Sequence, residues 1–238
     1  MRALIAALLA CLAAPALAGD TAQLEILGFS ADGSIFAFEE YGIQDGSGFP
    51  YANRFYIETA TDSFVSGTPI RIRLDYNGAS LEDARDQASD EGQTIVADDV
   101  LAANKGTTAG FNAISETSAD PLRMEVNPRL VFPSIDEPLE VRIEEIGFQA
   151  PELCEGLTQR HVGFRLVRID RAPGGATELL HEDDAVPESR GCADGYRIGA
   201  VQTFFPESGD PVFVVIIAVR RFGFEGPDHR WIAVPGKL

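Results

Sequence analysis

The feature that most constrains the fold is an uninterrupted apolar run near the end of the chain, Val212–Val219. The run shows no alternation of polar and apolar positions, which is typical of a strand buried on both faces. It is too short for a membrane-spanning helix, which takes about 20 apolar residues. Its β-branched residues also disfavour a helix. The rest of the chain therefore has to cover this strand on both sides.

Most of the sequence that precedes this run consists of short apolar segments separated by Gly, Pro, Asn and Asp. Leu24–Phe29 and Ser34–Glu40 flank Asp32-Gly33, which is a strong signal for a β-hairpin. The exception begins at Ser80-Leu81-Glu82-Asp83, which resembles a capping box and is followed by apolar residues at helical spacing. We therefore predict a mainly β protein, an antiparallel sandwich or barrel-like body or a partial propeller, with one helical excursion near 80–105.

Residues 1–18 have the form of a signal peptide. Arg2 precedes the apolar run Ala3–Ala14, and Ala16-Leu17-Ala18 supplies the small-x-small pattern of a cleavage site. We predict cleavage before Gly19 and a periplasmic or secreted protein. Lipid anchoring at Cys11 is a minor alternative, since few apolar residues precede that cysteine.

The exported chain divides by composition into two β-rich regions. The first covers 19–105 and includes the helical segment, and the second covers 122–238. Between them, 106–121 is poor in apolar residues and rich in Thr, Ser and Gly, so we predict a loop or linker there. The alternative is one continuous domain over 19–238, since a single core can serve a chain of this length.

Two cysteines, Cys154 and Cys192, remain after cleavage. An oxidising compartment allows an even number of cysteines to pair, so we predict one structural disulfide between them. The sequence contains no Cys-x-x-Cys motif and no histidine at ligand spacing from either cysteine. We assign no metal site and no cofactor.

The chain is strongly acidic, with 37 acidic and 19 basic residues and a formal net charge of −18. Such a charge repels nucleic acid and anionic lipid, so we predict neither as a partner. The apolar runs after the leader are all too short to predict a membrane span. Nearly all the positive charge is arginine, which we interpret as compositional bias. We interpret Glu182–Glu188 as a solvated acidic loop.

Aromatic residues are concentrated in one part of the sequence. Nine of them lie between Phe29 and Phe64, out of 15 Phe, 5 Tyr and 1 Trp in the whole chain. We interpret the strand-borne Phe36, Phe38 and Phe55 as core residues. Aromatic side chains beside carboxylates in a glycine-rich loop suit a platform for sugars or an aromatic peptide. The candidate binding residues are Glu39, Glu40, Tyr41, Asp45, Phe49 and Tyr51.

The same region does not assemble a recognisable catalytic motif. The spacing of its carboxylates matches neither an EF-hand nor an acid–base motif, and calcium binding by them is left open. Ser47 has glycines at the wrong offsets for a nucleophile elbow. The histidines His161, His181 and His229 are widely separated in sequence. We therefore predict no catalytic residues.

Three stretches resemble a bacterial family of predicted secreted proteins with no assigned function. They are LGFSADGSIFAFEEYGIQDGSGFPYANRFYI, GTPIRIRLDY and RRFGFEGPDHRWIAV. The resemblance implies export and one architecture shared across the family. It supplies no catalytic residues.

Together these patterns favour an exported, non-enzymatic binding or structural module. We expect it to act through a loop surface formed by 39–51 and the turn at 223–230. The expected partner is a protein or glycan of the cell envelope. The alternative is a hydrolase of envelope glycan or peptide that uses Glu39, Glu40 or Asp45 as acid or base.

Overall fold

The computed structural model describes residues 19–170 and 174–238. The predicted signal peptide, with Cys11, lies outside the described residues. Within the described ranges, no helix is both long enough and apolar enough to cross a bilayer.

The described chain is mainly β, with short helical segments after the fifth strand, and this confirms the predicted fold class. None of the sheets formed by the described residues closes into a barrel. The strands are β1 (Gln23–Phe29), β2 (Ile35–Ile43), β3 (Pro50–Glu58), β4 (Ser63–Phe64), β5 (Ile70–Arg73), β6 (Thr107–Phe111), β7 (Arg123–Val126), β8 (Leu139–Gly147), β9 (Val162–Ile169), β10 (Thr177–Glu182), β11 (Ala193–Phe204), β12 (Val212–Arg221) and β13 (Asp228–Lys237). The α-helices are α1 (Leu81–Gly92) and α2 (Asp98–Ala103), and the predicted helical excursion is therefore confirmed.

The strands form three antiparallel sheets. The first sheet has the order β1-β2-β3-β4, with β5 also paired to β3. The central sheet has the order β13-β12-β11-β6, and the third sheet has the order β10-β9-β8-β7. Sequential hairpins therefore build most of each sheet, and β6 reaches the central sheet from the segment after the helices.

Strand β12 is buried on both faces, as its unbroken apolar run predicts. Its odd-numbered residues, Phe213 to Val219, pack against the third sheet. Its even-numbered residues, Val212 to Ala218, pack against the first sheet. Because successive strand residues point to opposite faces, one strand contributes to two cores, and the central sheet is the middle layer of three.

The two helices cover the outer face of the first sheet. Ala37, Ala52 and Tyr56 of that face pack with Ala84 and Ala88 of α1 and with Leu101 of α2. Helix α1 begins with the predicted capping box: the Ser80 hydroxyl accepts from the Asp83 N–H at 3.0 Å, and the Asp83 carboxylate accepts from the Ser80 N–H at 3.0 Å. Small alanine side chains let the helix lie close to the sheet.

The segment 106–121, predicted as a loop or linker, contains a strand, β6, that its composition does not predict. Among the described residues, β6 is paired along one edge, to β11, and most of its side chains remain partly exposed. Such an edge strand needs little apolar character, so its composition resembles that of a loop. The division of the chain into domains stays a prediction.

The predicted disulfide between Cys154 and Cys192 is confirmed. Its Cα atoms lie 5.4 Å apart, and both residues are buried. The bond joins the segment that follows β8 to the residue that precedes β11. It therefore links the third sheet to the central sheet.

Candidate functional site

The six candidate binding residues are distributed over both faces of the β2–β3 hairpin. Glu39 and Tyr41 are on the face that packs against the helices, where Ala37 and Tyr41 belong to the same apolar cluster. Glu40 and Tyr51 are on the opposite face, beside Phe38 and the central sheet. Alternation along β2 therefore separates Glu39 from Glu40, although they are adjacent in sequence.

Glu39 lies in a buried ion network beneath the helices. Its side chain is 0% exposed and accepts from Arg54 Nε at 2.9 Å and from Arg85 Nε at 2.6 Å. Arg54 also donates to Asp98 at 2.7 Å. The guanidinium of Arg85 lies over the ring of Tyr41, 3.9 Å from its centroid. Glu39 and Tyr41 therefore join β2 to the helical layer.

Asp45 joins the glycine-rich loop to the turn between β12 and β13. Its Oδ2 accepts from the backbone N–H of Glu225 at 3.2 Å. Phe49, at the other end of the loop, is half-buried. Thus 44–49 and 222–227 lie side by side, although they are far apart in sequence.

A cleft of about 240 Å³ opens beside this contact, between the first sheet and the ends of β12 and β13. Glu40 and Tyr51 line it, and its other aromatic walls are Phe55, Phe64 and Trp231. Five arginines also line it, and we call this space the arginine cleft: Arg71, Arg73, Arg190, Arg221 and Arg230.

The register of the first sheet explains why these side chains converge. Glu40 on β2 lies opposite Asn53 on β3, and Asn53 lies opposite Arg71 on β5. Two residues earlier on β3, and therefore on the same face, Tyr51 lies opposite Arg73. Directly opposed residues share a face of the sheet. These five side chains therefore form two adjacent rows on the wall of the arginine cleft.

The carboxyl group of Glu40 is fixed at the base of this wall. It accepts from the backbone N–H of Trp231 at 2.8 Å and from Asn53 Nδ2 at 3.0 Å. The residue is 3% exposed. Burial raises the pKa of the Glu40 carboxyl, and the two hydrogen bonds partly offset that effect. Glu40 thereby connects β2 to the start of β13.

Tyr51 is held between the N-terminal segment and β13. Its hydroxyl donates to Asp20 Oδ1 at 3.2 Å, and the guanidinium of Arg230 lies 5.0 Å from its ring centroid. Arg230 also pairs with the carboxylate of Asp20. A Cβ at Gly42 would lie 2.9 Å from the Tyr51 hydroxyl, so glycine at this position leaves room for the ring. Burial raises the pKa of Tyr51.

The five cleft arginines differ in how far their charges are compensated. Arg190 pairs with Asp183 at 2.6 Å, whereas Arg221 lies 3.8 Å from Asp228. For Arg71 and Arg73, no carboxylate lies within ion-pair distance among the described residues. Both are exposed, and Arg71 lies 5.5 Å from the ring centroid of Phe55. The cleft therefore carries positive charge inside an acidic protein.

These arginines are not among the predicted site residues, because we interpret the enrichment of arginine over lysine as compositional bias. A usable signal was present in Ile70-Arg71-Ile72-Arg73, where strict alternation places two cations on the same face of one strand. The remaining three come from segments more than 100 residues further along the chain. Local pattern alone could not bring them to this place.

The core assignments for three phenylalanines are confirmed. Phe36 and Phe38 are 0% exposed and Phe55 is 4% exposed. The histidines do not converge: His181 contacts Asp62 and Asp183, whereas His229 lies near Thr21. Within 19–170 and 174–238, no group of three or more His, Cys, Asp or Glu residues is arranged to hold a metal ion.

The fold and the cleft define a layered antiparallel β protein with a helical cover and a charged pocket between two of its sheets. The chain belongs to the family described as "predicted secreted protein (DUF2259)", whose profile matches residues 37–237. The match includes every residue that lines the arginine cleft. Comparison with curated proteins and comparison with solved structures each found no match.

Proposed function

We propose that this secreted protein is a non-catalytic binding protein that holds a small ligand in the arginine cleft. The observation that carries the proposal is the convergence of aromatic and charged side chains from β2, β3, β5, β12 and β13 on one concavity. Binding sites for small molecules are typically concave, with apolar and aromatic walls and a few fixed polar groups. The arginine cleft has these properties.

The size of the cleft limits the ligand. Its volume of about 240 Å³ lies just below the roughly 300–1,000 Å³ that is usual for ligand pockets. This volume suits one sugar residue, one amino-acid side chain or a small organic acid. The envelope glycan or protein that we expect as partner would therefore present a single residue to the cleft.

An occlusion variant tests the proposal. Ser189 is exposed and lines the cleft, so Ser189→Trp fills the space without removing a buried group. Ser208, which is exposed outside the cleft, supplies the matched control Ser208→Trp. The exported protein and both variants are screened by thermal shift against sugars, sugar acids, amino acids, dipeptides and organic acids. A ligand present at about 100 times its Kd stabilises the folded state by about 2.7 kcal/mol.

We expect at least one compound to raise the melting temperature of the wild type and of Ser208→Trp but not of Ser189→Trp. If no compound does so, or if Ser189→Trp responds like the wild type, the cleft is not the binding site and the proposal fails.

Glu40 supports the alternative of a hydrolase. A carboxyl group with a raised pKa in a cleft is a candidate general acid. Glu39 cannot serve with Glu40 as a second catalytic carboxylate, because Glu39 lies on the opposite face of β2. Turnover of an envelope glycan or peptide that Glu40→Gln abolishes, while binding of the same compound is retained, would favour the enzyme over the binding protein.

A further inference from the structure

The charge balance of the arginine cleft leads to a narrower ligand class, and this inference rests on the proposed function. Five arginines and one carboxylate, Glu40, line the cleft. Three of the arginines have a carboxylate within 4 Å: Arg190 has Asp183, Arg230 has Asp20 and Arg221 has Asp228. Arg71 and Arg73 have no such partner among the described residues.

Two guanidinium groups on one strand face without a described carboxylate at ion-pair distance are unusual in a chain with 37 acidic and 19 basic residues. Carboxylates are available in excess, yet none of those described pairs with Arg71 or Arg73. Like charges placed together in a concavity repel each other, and they attract and concentrate anions there. A bound anion would compensate both charges.

Arg221 adds a third cation that is only weakly paired. Its nearest carboxylate, Asp228, lies 3.8 Å away and is shared with Arg230 at 3.9 Å and with the backbone N–H of Asp20 at 2.9 Å. Burial lowers the pKa of Arg221, and the nearby charge of Arg230 lowers it further. This guanidinium is thus short of negative charge, although it lies beside an acidic group.

We propose that the arginine cleft binds an acidic sugar, with the carboxylate or phosphate group of the ligand held by Arg71, Arg73 and Arg221. The planar guanidinium fork matches both anions and can bind either through two parallel hydrogen bonds. Uronic acids and sugar phosphates share this chemistry.

The other walls of the cleft fit the ring of such a ligand. Phe64 lines the cleft and is 53% exposed, so it offers aromatic surface to the apolar face of a sugar, whereas Tyr51, Phe55 and Trp231 line the cleft as buried rings that are 4–6% exposed. Gln44 and Asn53 lie on the same lining and offer amide groups for hydroxyls. The volume admits about one ring, so the ligand is a monosaccharide or the end of a chain.

Isothermal titration calorimetry with four probes tests the proposal: glucuronate, glucose 6-phosphate, glucose and inorganic phosphate. The test variant is the double substitution Arg71→Gln/Arg73→Gln. The matched control is Arg142→Gln/Arg220→Gln, which removes the same charge from half-exposed positions outside the cleft. Titrations are run at about 50 mM and about 300 mM salt, where screening differs strongly.

We expect glucuronate or glucose 6-phosphate to bind at least about tenfold more tightly than glucose, with affinity that falls as salt rises. The double variant should lose about tenfold or more of this affinity, and the control should stay within about twofold. The ratio of the two acidic probes then distinguishes a carboxylate from a phosphate ligand.

Each contrary result overturns a different statement. Equal affinity for inorganic phosphate and glucose 6-phosphate would show that the sugar ring contributes nothing to binding, and the ligand would not be a sugar. If neutral compounds bind in the cleft and Arg71→Gln/Arg73→Gln binds them with unchanged affinity, the ligand is not an anion. The proposed function would still hold. If Ser189→Trp abolishes the binding of none of the screened compounds, both the acidic-sugar ligand and the proposed function are overturned.

Discussion

Single residues decide how closely the layers of this protein approach one another. Gly28 lies at an irregularity in the pairing of β1 with β2, with a φ of +134°. A Cβ built at Gly28 would lie 2.1 Å from the backbone oxygen of Leu101 in α2. A side chain there would be strained in its backbone and would also push the helix away.

We therefore expect Gly28→Ala to destabilise the protein by roughly 2–4 kcal/mol. Gly147→Ala is the matched control, because a Cβ at Gly147 meets nothing within 4 Å, and its cost should stay below about 0.5 kcal/mol. Urea unfolding measures both. Equal stabilities for the two variants would contradict the close contact of β1 with α2.

For single residues, the sequence predicted burial and disulfide bonding better than it predicted the contacts of each side chain. The pairing of Cys154 with Cys192 and the burial of Phe38 followed from composition and alternation. The environment of Asp183 did not. We predicted a solvated acidic loop, but Asp183 is 8% exposed and accepts from the backbone N–H of Phe164 at 2.8 Å. Its partners are Phe164 on the neighbouring strand β9, His181 and Arg190, and local charge density does not predict that these groups enclose one carboxylate.

At the scale of elements, the ion network around Glu39 fixes β2 to the helical layer. Glu39 has Arg54 on β3 and Arg85 on α1 as partners, and Arg54 continues to Asp98 at the start of α2. Removing one member of a buried ion pair leaves the other charge without compensation in a place that water does not reach.

We expect Glu39→Gln to destabilise the protein by about 3 kcal/mol or more. Glu25→Gln is the control, because the side chain of Glu25 is 40% exposed and contacts only the outer end of this network, so its loss should stay within about 1 kcal/mol. Thermal or urea unfolding tests the difference. A Glu39→Gln variant as stable as Glu25→Gln would show that the network contributes little.

Strands could be predicted where their own hydrophobic pattern shows which faces are buried. The apolar run of β12 predicted burial on both sides, and both cores are present. The pattern did not predict β6, because a strand that is paired along one edge, as β6 is in the described part of the chain, can share its composition with a loop. Asp45 of the glycine-rich loop contacts Glu225 of the turn between β12 and β13, and the role of these segments in binding stays a prediction. The arginines could be placed only by the tertiary structure.

At the scale of the whole molecule, the disulfide connects two of the three sheets. It closes a sequence separation of 38 residues, for which chain-entropy arguments give a stabilisation of about 4 kcal/mol. We expect reduction to lower the free energy of unfolding by up to that amount. The double variant Cys154→Ser/Cys192→Ser should match the reduced wild type and should not respond to reductant. A variant as stable as the oxidised wild type would contradict this role.

A second connection joins the first sheet to the third sheet, and it depends on a proton. His181 on β10 lies 3.0 Å from Asp183 and 3.2 Å from Asp62, which belongs to the turn between β3 and β4. The two hydrogen bonds, chiefly that to Asp183, raise the pKa of His181 from 6.5 to about 9. Below pH 6.5 the imidazolium is present in both the folded and the unfolded chain, so its stabilisation is complete there. Between the two pKa values the folded chain binds the extra proton, and stability falls as pH rises.

We therefore expect the free energy of unfolding to decline between about pH 6.5 and pH 9, by at most about 3 kcal/mol. His181→Gln should be less stable at pH 6 and should lose this decline. His229→Gln should keep it, because burial lowers the pKa of His229 and its titration falls below this range. Urea unfolding at closely spaced pH values gives both slopes. A decline that persists in His181→Gln would assign the proton to another group and would leave the sheets joined independently of pH.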